Sequence, residues 1–446
     1  MNLIPNILTT LSARLASLAI ALISSIVLAR ALGPEGRGLF ALVLLLPELA
    51  QSFGLFGFEQ ANAVYAGREP EARRALVWQS AIIAGVAGGV LALGGIFFLA
   101  LRGPGSQVLL HGPLWLYLLP LSTVPCGLVS AYWGAVLRGM NRIILINCVE
   151  VGTRVASLVL VVAFVAWLRL GVAGAVWSNV VVDVGMVGLL VVLLRRVGAW
   201  GRPLFSRSVW RRTGRFALPA YSGTVMSYLN YRVDQFIIAA MLPPEQVGFY
   251  VIAVGLAERL WIPTGAVATA LLPHLTNSPE RDPALPAVIA RHVMLWTGAA
   301  CLLVFALSDV LVRVLYSSAF APTVAPLRWL LPGIFTLSVG KVLVGEMLAR
   351  EKIRFTVWVG AAATLVNIAG NLVLVPRMGI SGAALASSIS YSLVSLIVTW
   401  YYVRETGVSW TVLLPRRSDL VSYAALWGRF THNLTIGSGI RGSARP

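Results

Sequence analysis

The sequence predicts an all-α polytopic membrane protein, with twelve transmembrane helices in two pseudo-twofold-related six-helix bundles around a central cavity. Three observations predict it: a composition too apolar for water, apolar runs that recur along the whole chain, and an internal repeat offset by about 210 residues.

Composition comes first. Of the 446 residues, 58% are hydrophobic and 12% charged, and the mean hydropathy is +0.82. A soluble domain carries roughly 25% charged residues, so this chain cannot cover a water-exposed surface and lipid must be its main solvent. The net charge of +18 would suggest nucleic acid in a soluble protein. Here the basic residues fall mostly between apolar runs, where they set orientation and attract anionic membrane lipids, so no nucleic-acid partner is expected. Cys126, Cys148 and Cys301 lie far apart within apolar runs, which gives neither a disulfide framework nor metal-ligand spacing.

A spanning helix needs about 20 apolar residues. Twelve such spans are expected near 9–32, 38–62, 75–101, 113–137, 145–168, 171–194, 215–241, 247–272, 289–314, 323–349, 355–376 and 380–403. The first is expected to be a retained helix, since no small-residue cleavage site follows it. Loops after the even-numbered spans are the more basic. They hold Arg68, Arg73 and Arg74, then Arg138 and Arg142, then seven arginines between Arg195 and Arg215. By the positive-inside rule both termini are expected in the cytoplasm. In the tail, Leu420, Tyr423, Ala424 and Trp427 follow helical spacing beside Arg416, Arg417 and Arg429, the pattern of a short helix lying on the inner membrane surface.

The repeat divides the chain. ARALGPEGRGLFAL at 29–42 matches AAMLPPEQVGFYVI at 239–252, and GVAGAVWSN from Gly171 matches GISGAALAS from Gly379. Arg138 and Arg142 match Arg350 and Arg354. The expected units are an N-terminal bundle at 1–200, a basic linker at 201–214, a C-terminal bundle at 215–404 and a cytoplasmic tail at 405–446. Six spans per half give both halves one orientation, with the pseudo-twofold axis along the membrane normal. Transporters built this way bind substrate between the halves. The small residues of GVAGA and GISGA are expected to serve close helix packing.

Ionisable residues inside spans are costly and face a bundle interior or a watery cavity. Span two carries Glu48, Gln51, Ser52, Glu59 and Asn62, which fall on one stripe of a continuous helix, so span two is expected to line the cavity. Span seven places Ser227, Asn230, Tyr231 and Asp234 on one face and Tyr228, Arg232 and Gln235 on another. Glu258 in span eight is the repeat counterpart of Glu48, with Arg259 beside it. Arg14 and Lys341 complete the expected cavity set: Arg14, Glu48, Gln51, Glu59, Tyr228, Arg232, Asp234, Glu258, Arg259 and Lys341. For the four cations two readings stand, cavity lining or fixed ion pairs between helices. Glu150 and Arg154, spaced i, i+4, are expected to pair. Tyr228, Tyr231 and Trp261 suit either sugar stacking or packing.

Arginine in such a cavity suits phosphate, because its planar fork is bidentate and keeps its charge when partly buried. Nearby carboxylates would either weaken phosphate binding enough for release or exchange a coupling ion, H+ or Na+.

The stretch ARALGPEGRGLFAL between an apolar first span and a polar-striped second resembles the polysaccharide flippases of the multidrug, oligosaccharidyl-lipid and polysaccharide exporter superfamily. VLYSSAFAPTVAPLRWLLPG at 314–333 and RETGVS from Arg404 are similar to the same family. The resemblance covers about 1–415. It implies two six-helix bundles forming a V-shaped cavity bounded by spans one, two, seven and eight, and alternating access. It also implies a flippase that moves a polyprenyl-pyrophosphate-linked oligosaccharide from the cytoplasmic to the outer leaflet for surface polysaccharide biosynthesis. Implied partners are the polyprenyl-linked glycan itself, a polysaccharide polymerase and glycosyltransferases. Lipid II flippases of the superfamily usually carry two further helices; a chain ending at twelve spans favours an O-antigen or exopolysaccharide unit.

The alternatives are a cation-coupled multidrug antiporter of the same superfamily and a membrane polysaccharide polymerase or ligase. The first calls for an acidic cavity, whereas acidic and basic groups are mixed here. The second calls for a large outer loop bearing catalytic groups, and no outer loop exceeds about twenty residues, well short of a domain. No Ser-His-Asp set, metal motif or phosphate-binding glycine loop is present, and the protein is not expected to be an enzyme.

Overall fold

A computed structural model describes residues 3–101, 111–265, 267, 282–416 and 419. Among the described residues every regular element is helical. Ten helices are long and apolar enough to cross a membrane, and the difference from twelve has two physical causes. The helix Leu3–Gly54 contains spans one and two, joined at Gly33, whose backbone (φ 69°, ψ 179°) leaves the helical region just before Pro34. Its 52 residues would extend about 78 Å at 1.5 Å per residue, more than twice a bilayer core of about 30 Å. Span seven, Arg207–Met241, is too polar to count, since its membrane half carries Ser227, Asn230, Arg232, Asp234 and Gln235 and its first turns carry Arg207, Arg211, Arg212 and Arg215. With both included, the described residues form twelve spans in two lobes.

Span two bends again. Its first segment ends at Gly54, and a second helix, Phe58–Arg68, follows a turn in which Phe56 (φ 42°) and Gly57 (φ 74°) are left-handed. A continuous helical stripe from Glu48 to Asn62 therefore does not exist. Glu59 instead pairs with Arg138 at 2.7 Å, and Asn62 is buried, donating to Ser80 Oγ at 2.7 Å.

The repeat is visible as reciprocal backbone contact between the lobes. A Cβ on Gly38 would overlap the Pro244 carbonyl, and a Cβ on Gly248 would overlap the Pro34 carbonyl. At an offset of 210 these are one contact made twice. It is isologous, as expected across a twofold axis. Arg30 seals the same end by donating to the Leu315 carbonyl at 2.9 Å and to that of Val314. At the opposite end, where the linker lies, spans two and seven meet. Tyr221 Oη donates to the Phe53 carbonyl at 2.6 Å, and Glu69 pairs with Arg212 at 3.0 Å.

Span six and span twelve open on Gly171 and Gly379, both at positive φ. Three residues on, Gly174 and Gly382 let the Phe164 and Leu374 carbonyls approach closely, so this second repeat serves packing.

The chain after span twelve folds beneath the C-terminal lobe. Arg291 donates to the Val412 carbonyl at 3.2 Å and to Asp419 Oδ1 at 2.8 Å, and Lys352 pairs with Glu405 at 2.8 Å. The interfacial helix expected at 420–427 lies outside the described residues. The hydrogen bond from Lys352 holds the Glu405 carboxyl below its usual range and raises the ammonium. A depressed carboxylate pKa contributes above its unfolded value and is lost as pH falls through the folded one. The raised ammonium is lost only above its ordinary value of about 10.4. The two side chains are 37% and 34% exposed, so solvent screens the pair and the contribution is small. Lys352→Ala should speed amide exchange in 405–416 relative to wild type at neutral pH, with the difference shrinking as pH falls below the ordinary glutamate value of about 4.3.

Candidate functional site

Between the lobes lies a cavity of about 750 Å³, lined by spans one, two, five, seven, eight and ten. Its span-two wall starts at Arg37, because the helix resumes at Pro34 and carries Arg37, Ala41, Leu44 and Glu48 at helical spacing on one face. Five cations line it, Arg37, Arg154, Arg232, Arg259 and Lys341, against two carboxylates, Glu48 and Glu258. The cavity is therefore net positive.

Arg232 and Glu258 form a two-pronged pair at 3.1 and 3.3 Å, half-buried, on neighbouring spans seven and eight. Arg259 is adjacent to Glu258 but points about 100° away around the helix, so the two cannot pair; its guanidinium donates to the Gly255 carbonyl instead. Glu48 belongs to the other lobe and makes no ion pair within 4 Å among the described residues. It lies in electrostatic range of Arg232, Arg37 and Glu258. The repeat-related carboxylates thus share one cavity.

Arg37 Nε is buried with no hydrogen-bond partner among the described residues. A buried donor left unpaired costs about 1–3 kcal/mol, more when charged. Such a group is ready to accept an anion. Lys341 sits 3.9 Å from the Trp261 ring centroid and 5.3 Å from that of Tyr231. Those rings also contact each other and Tyr391. Trp261 is 6% exposed, so its faces are occupied by protein and it packs rather than offering a free stacking surface.

A smaller cavity of about 370 Å³ continues towards the linker end past Gln51, Ser52 and Tyr228, sharing Glu48, Tyr231 and Arg232 with the larger one.

Seven of the ten expected residues are brought together: Glu48, Gln51, Tyr228, Arg232, Glu258, Arg259 and Lys341. Three are elsewhere. Glu59 is removed by the bend at Phe56–Gly57. Arg14 is exposed, one turn beyond Leu18 on the face where Leu18, Ala21 and Ser25 line the cavity. Asp234 is 1% exposed and faces into the C-terminal lobe. There it accepts from Tyr250 Oη, from Ser387 Oγ at 3.0 Å and from the Gln235 amide at 2.7 Å. On span seven Tyr228, Arg232 and Gln235 turn to the cavities as one face, Tyr231 joins them from the edge of the other, and Asn230 and Asp234 turn into the lobe. Asn230, Asn367, Asn371 and Ser390 extend the Asp234 network.

Two cavity residues escaped the sequence. Arg37 counts as an outer-loop arginine on hydropathy alone; running the Glu48 face backwards by three turns would have found it. Arg154 was expected to pair with Glu150, but Glu150 lies 3.6 Å from Arg138, which bridges it to Glu59, and Arg154 turns into the cavity.

The family described as polysaccharide biosynthesis protein matches residues 3–278, and the family described as lipid II flippase MurJ matches residues 158–425. No curated protein matches. Among solved structures, the chain is similar to the lipid II flippase MurJ in an inward closed conformation. The TM-score is 0.74 at 15% identity, over 90% of this chain and 87% of that one. It is also similar to an inward-facing multidrug resistance MATE family transporter, with TM-score 0.70 and 17% identity over 90% and 98% of the two chains. A point mutant of the Vibrio cholerae MATE transporter VcmN gives a TM-score of 0.63 and 13% identity over 92% and 97%.

Proposed function

Because the chain belongs to the polysaccharide biosynthesis protein family, among the flippases and transporters of the multidrug, oligosaccharidyl-lipid and polysaccharide exporter superfamily, we propose that it flips a polyprenyl-pyrophosphate-linked oligosaccharide from the cytoplasmic to the outer leaflet of a bacterial inner membrane. One observation carries this reading: five cations against two carboxylates in the interlobe cavity, with Arg37 Nε buried and unpaired among the described residues. That charge balance suits a pyrophosphate and opposes a hydrophobic cation, so it favours a lipid-linked sugar over the drug-antiporter reading.

With both termini cytoplasmic, the end sealed by Gly38 and Gly248 is the outer one. The lipid pyrophosphate enters from the cytoplasmic side and meets Arg232, whose fork is held by Glu258. Phosphate oxygens replace the Glu258 carboxylate on that fork and add Arg37, Arg259 and Arg154. The displaced Glu258 and the nearby Glu48 then repel the phosphate, which keeps the head from binding too tightly to leave. Alternating access carries the head outward when the Gly38–Gly248 contact parts. A coupling ion, H+ or Na+, would act at Asp234, which accepts from two hydroxyls and a backbone amide, all of them neutral. Glycosyltransferases would supply the substrate and a polymerase would consume it.

The test is complementation of a flippase-deficient strain. Arg232→Ala and Arg259→Ala should each cut surface polysaccharide about tenfold to a hundredfold, the range for one charge-assisted hydrogen bond, while membrane expression is unchanged. Normal polymer from both variants would exclude the cavity as the phosphate site.

A further inference from the structure

A second hollow of about 660 Å³ lies inside the C-terminal lobe, between spans seven and ten. Span seven packs on eleven and, less, on twelve; span ten packs on nine and twelve. In the half towards the linker, spans seven and ten stand apart, leaving a slot with eleven and twelve behind it. Leu337, Lys341, Val344 and Leu348 line it at i, i+4, i+7 and i+11, one face of span ten. Val357 of span eleven and Val398 of span twelve close the back, and Met226 lines the span-seven wall, against span eleven at Gly360. The mouth, between Arg215 and Ile353, is exposed. The deep end is polar, at Asn230, Tyr231 and Lys341, and the last two also line the central cavity.

Protein interiors are packed to crystal density, so a slot of this size that the described residues leave unfilled calls for an occupant. Between its mouth and its deep end the walls are mostly aliphatic and give water few partners, and a cavity of that kind stays dry or takes hydrocarbon. Its one inner cation, Lys341, stands where the slot meets the charged cavity. The occupant is thus apolar along its length and anionic at the end next to Lys341.

We propose that this slot holds the first isoprene units of the transported lipid, with the phosphate attached to them at Lys341 and the rest of the chain leaving past Leu348 and Ile353. The inference rests on the flippase reading above and extends it from the head of the substrate to its tail. A lipid whose head crosses a polar cavity must keep its chain in hydrocarbon throughout. The slot supplies hydrocarbon beside the head site and inside the lobe, so chain and head travel on one body.

The test uses full-length protein in nanodiscs and four probes: geranylgeranyl pyrophosphate, inorganic pyrophosphate, geranylgeraniol and dioleoyl phosphatidic acid. Val344→Phe fills the slot from span ten. Gly360→Leu fills it from span eleven, where an added Cβ meets only Met226 Cβ at 3.6 Å; it is read if the first variant does not fold. Filling should weaken geranylgeranyl pyrophosphate at least tenfold and leave inorganic pyrophosphate unchanged. Unchanged geranylgeranyl pyrophosphate affinity in a folded, filled variant overturns the proposal. So does phosphatidic acid that competes as well as the isoprenoid, since the slot would then be a general lipid site. If wild type fails to bind inorganic pyrophosphate, the head-site reading fails by itself. Geranylgeraniol binding that is lost on filling would still support the tail slot, and binding that survives filling would overturn it.

Discussion

Gly38→Ala is expected to hold the protein open at the end it now seals and to stop transport. The added methyl overlaps the Pro244 carbonyl, a backbone atom that cannot swing aside as a side chain would. Overpacking of this kind costs about 1–3 kcal/mol, and each 1.4 kcal/mol shifts a two-state balance about tenfold. The cost falls only on the conformer in which the lobes touch there, so the change alters which state is populated more than whether the lobes fold. A cysteine at Ser25, which lines the cavity, reports it in a background where exposed Cys148 is replaced. Labelling by a membrane-impermeant maleimide from outside should rise about tenfold or more. Gly248→Ala should do the same, because it makes the same contact from the other lobe. Unchanged labelling in both would mean that the glycines pack without gating.

Glu258→Gln is expected to tighten binding of a pyrophosphate head and slow its release. In the resting cavity both prongs of Arg232 are taken by Glu258. A phosphate must displace that pair, which gives back part of its own binding energy. Removing the negative charge frees a charge-assisted interaction of about 1.5–3 kcal/mol, so pyrophosphate affinity should rise about tenfold to a hundredfold while flipping slows. Titration calorimetry with inorganic pyrophosphate and a fluorescent-lipid flipping assay give the two numbers. Weaker binding in Glu258→Gln would assign Glu258 to positioning Arg232 rather than to competing for it.

Much of the fold is legible in the sequence, because hydropathy fixes spans whatever their packing. The turn at Gly33–Pro34 and the repeat at Pro244 announce themselves through residues that only special backbone tolerates. The bend at Phe56–Gly57 does not: a stretch of Phe, Gly and Leu is compatible with a continuous helix. The break that moves Glu59 away from Glu48 comes from tertiary contact with span seven, where Gly57 lies against the Ala217 carbonyl. Side-chain pairing is equally hidden. Glu150 has Arg154 in reach by spacing, yet it takes Arg138 instead, and only the packing of spans four and five decides between them. Asp234 fails for a related reason. Periodicity separates the two faces of span seven but does not say which of them meets the other lobe, and here the aspartate face is claimed by spans eleven and twelve.

The self-complementary seam at Gly38 and Gly248 bears on how such a protein arises. A single six-helix unit carrying Pro34 and Gly38 already has the surface to join a second copy of itself, so gene duplication and fusion would preserve an interface that existed before the two copies were linked. The acidic position survives in both descendants, as Glu48 and Glu258, whereas the cations have diverged. At the repeat offset of 210, Arg37 corresponds to Val247, Arg232 to Leu22 and Arg259 to Leu49. A homodimeric ancestor would have been obliged to offer every arginine twice. Fusion removed that obligation, and with it the symmetry of the ligand the cavity can hold.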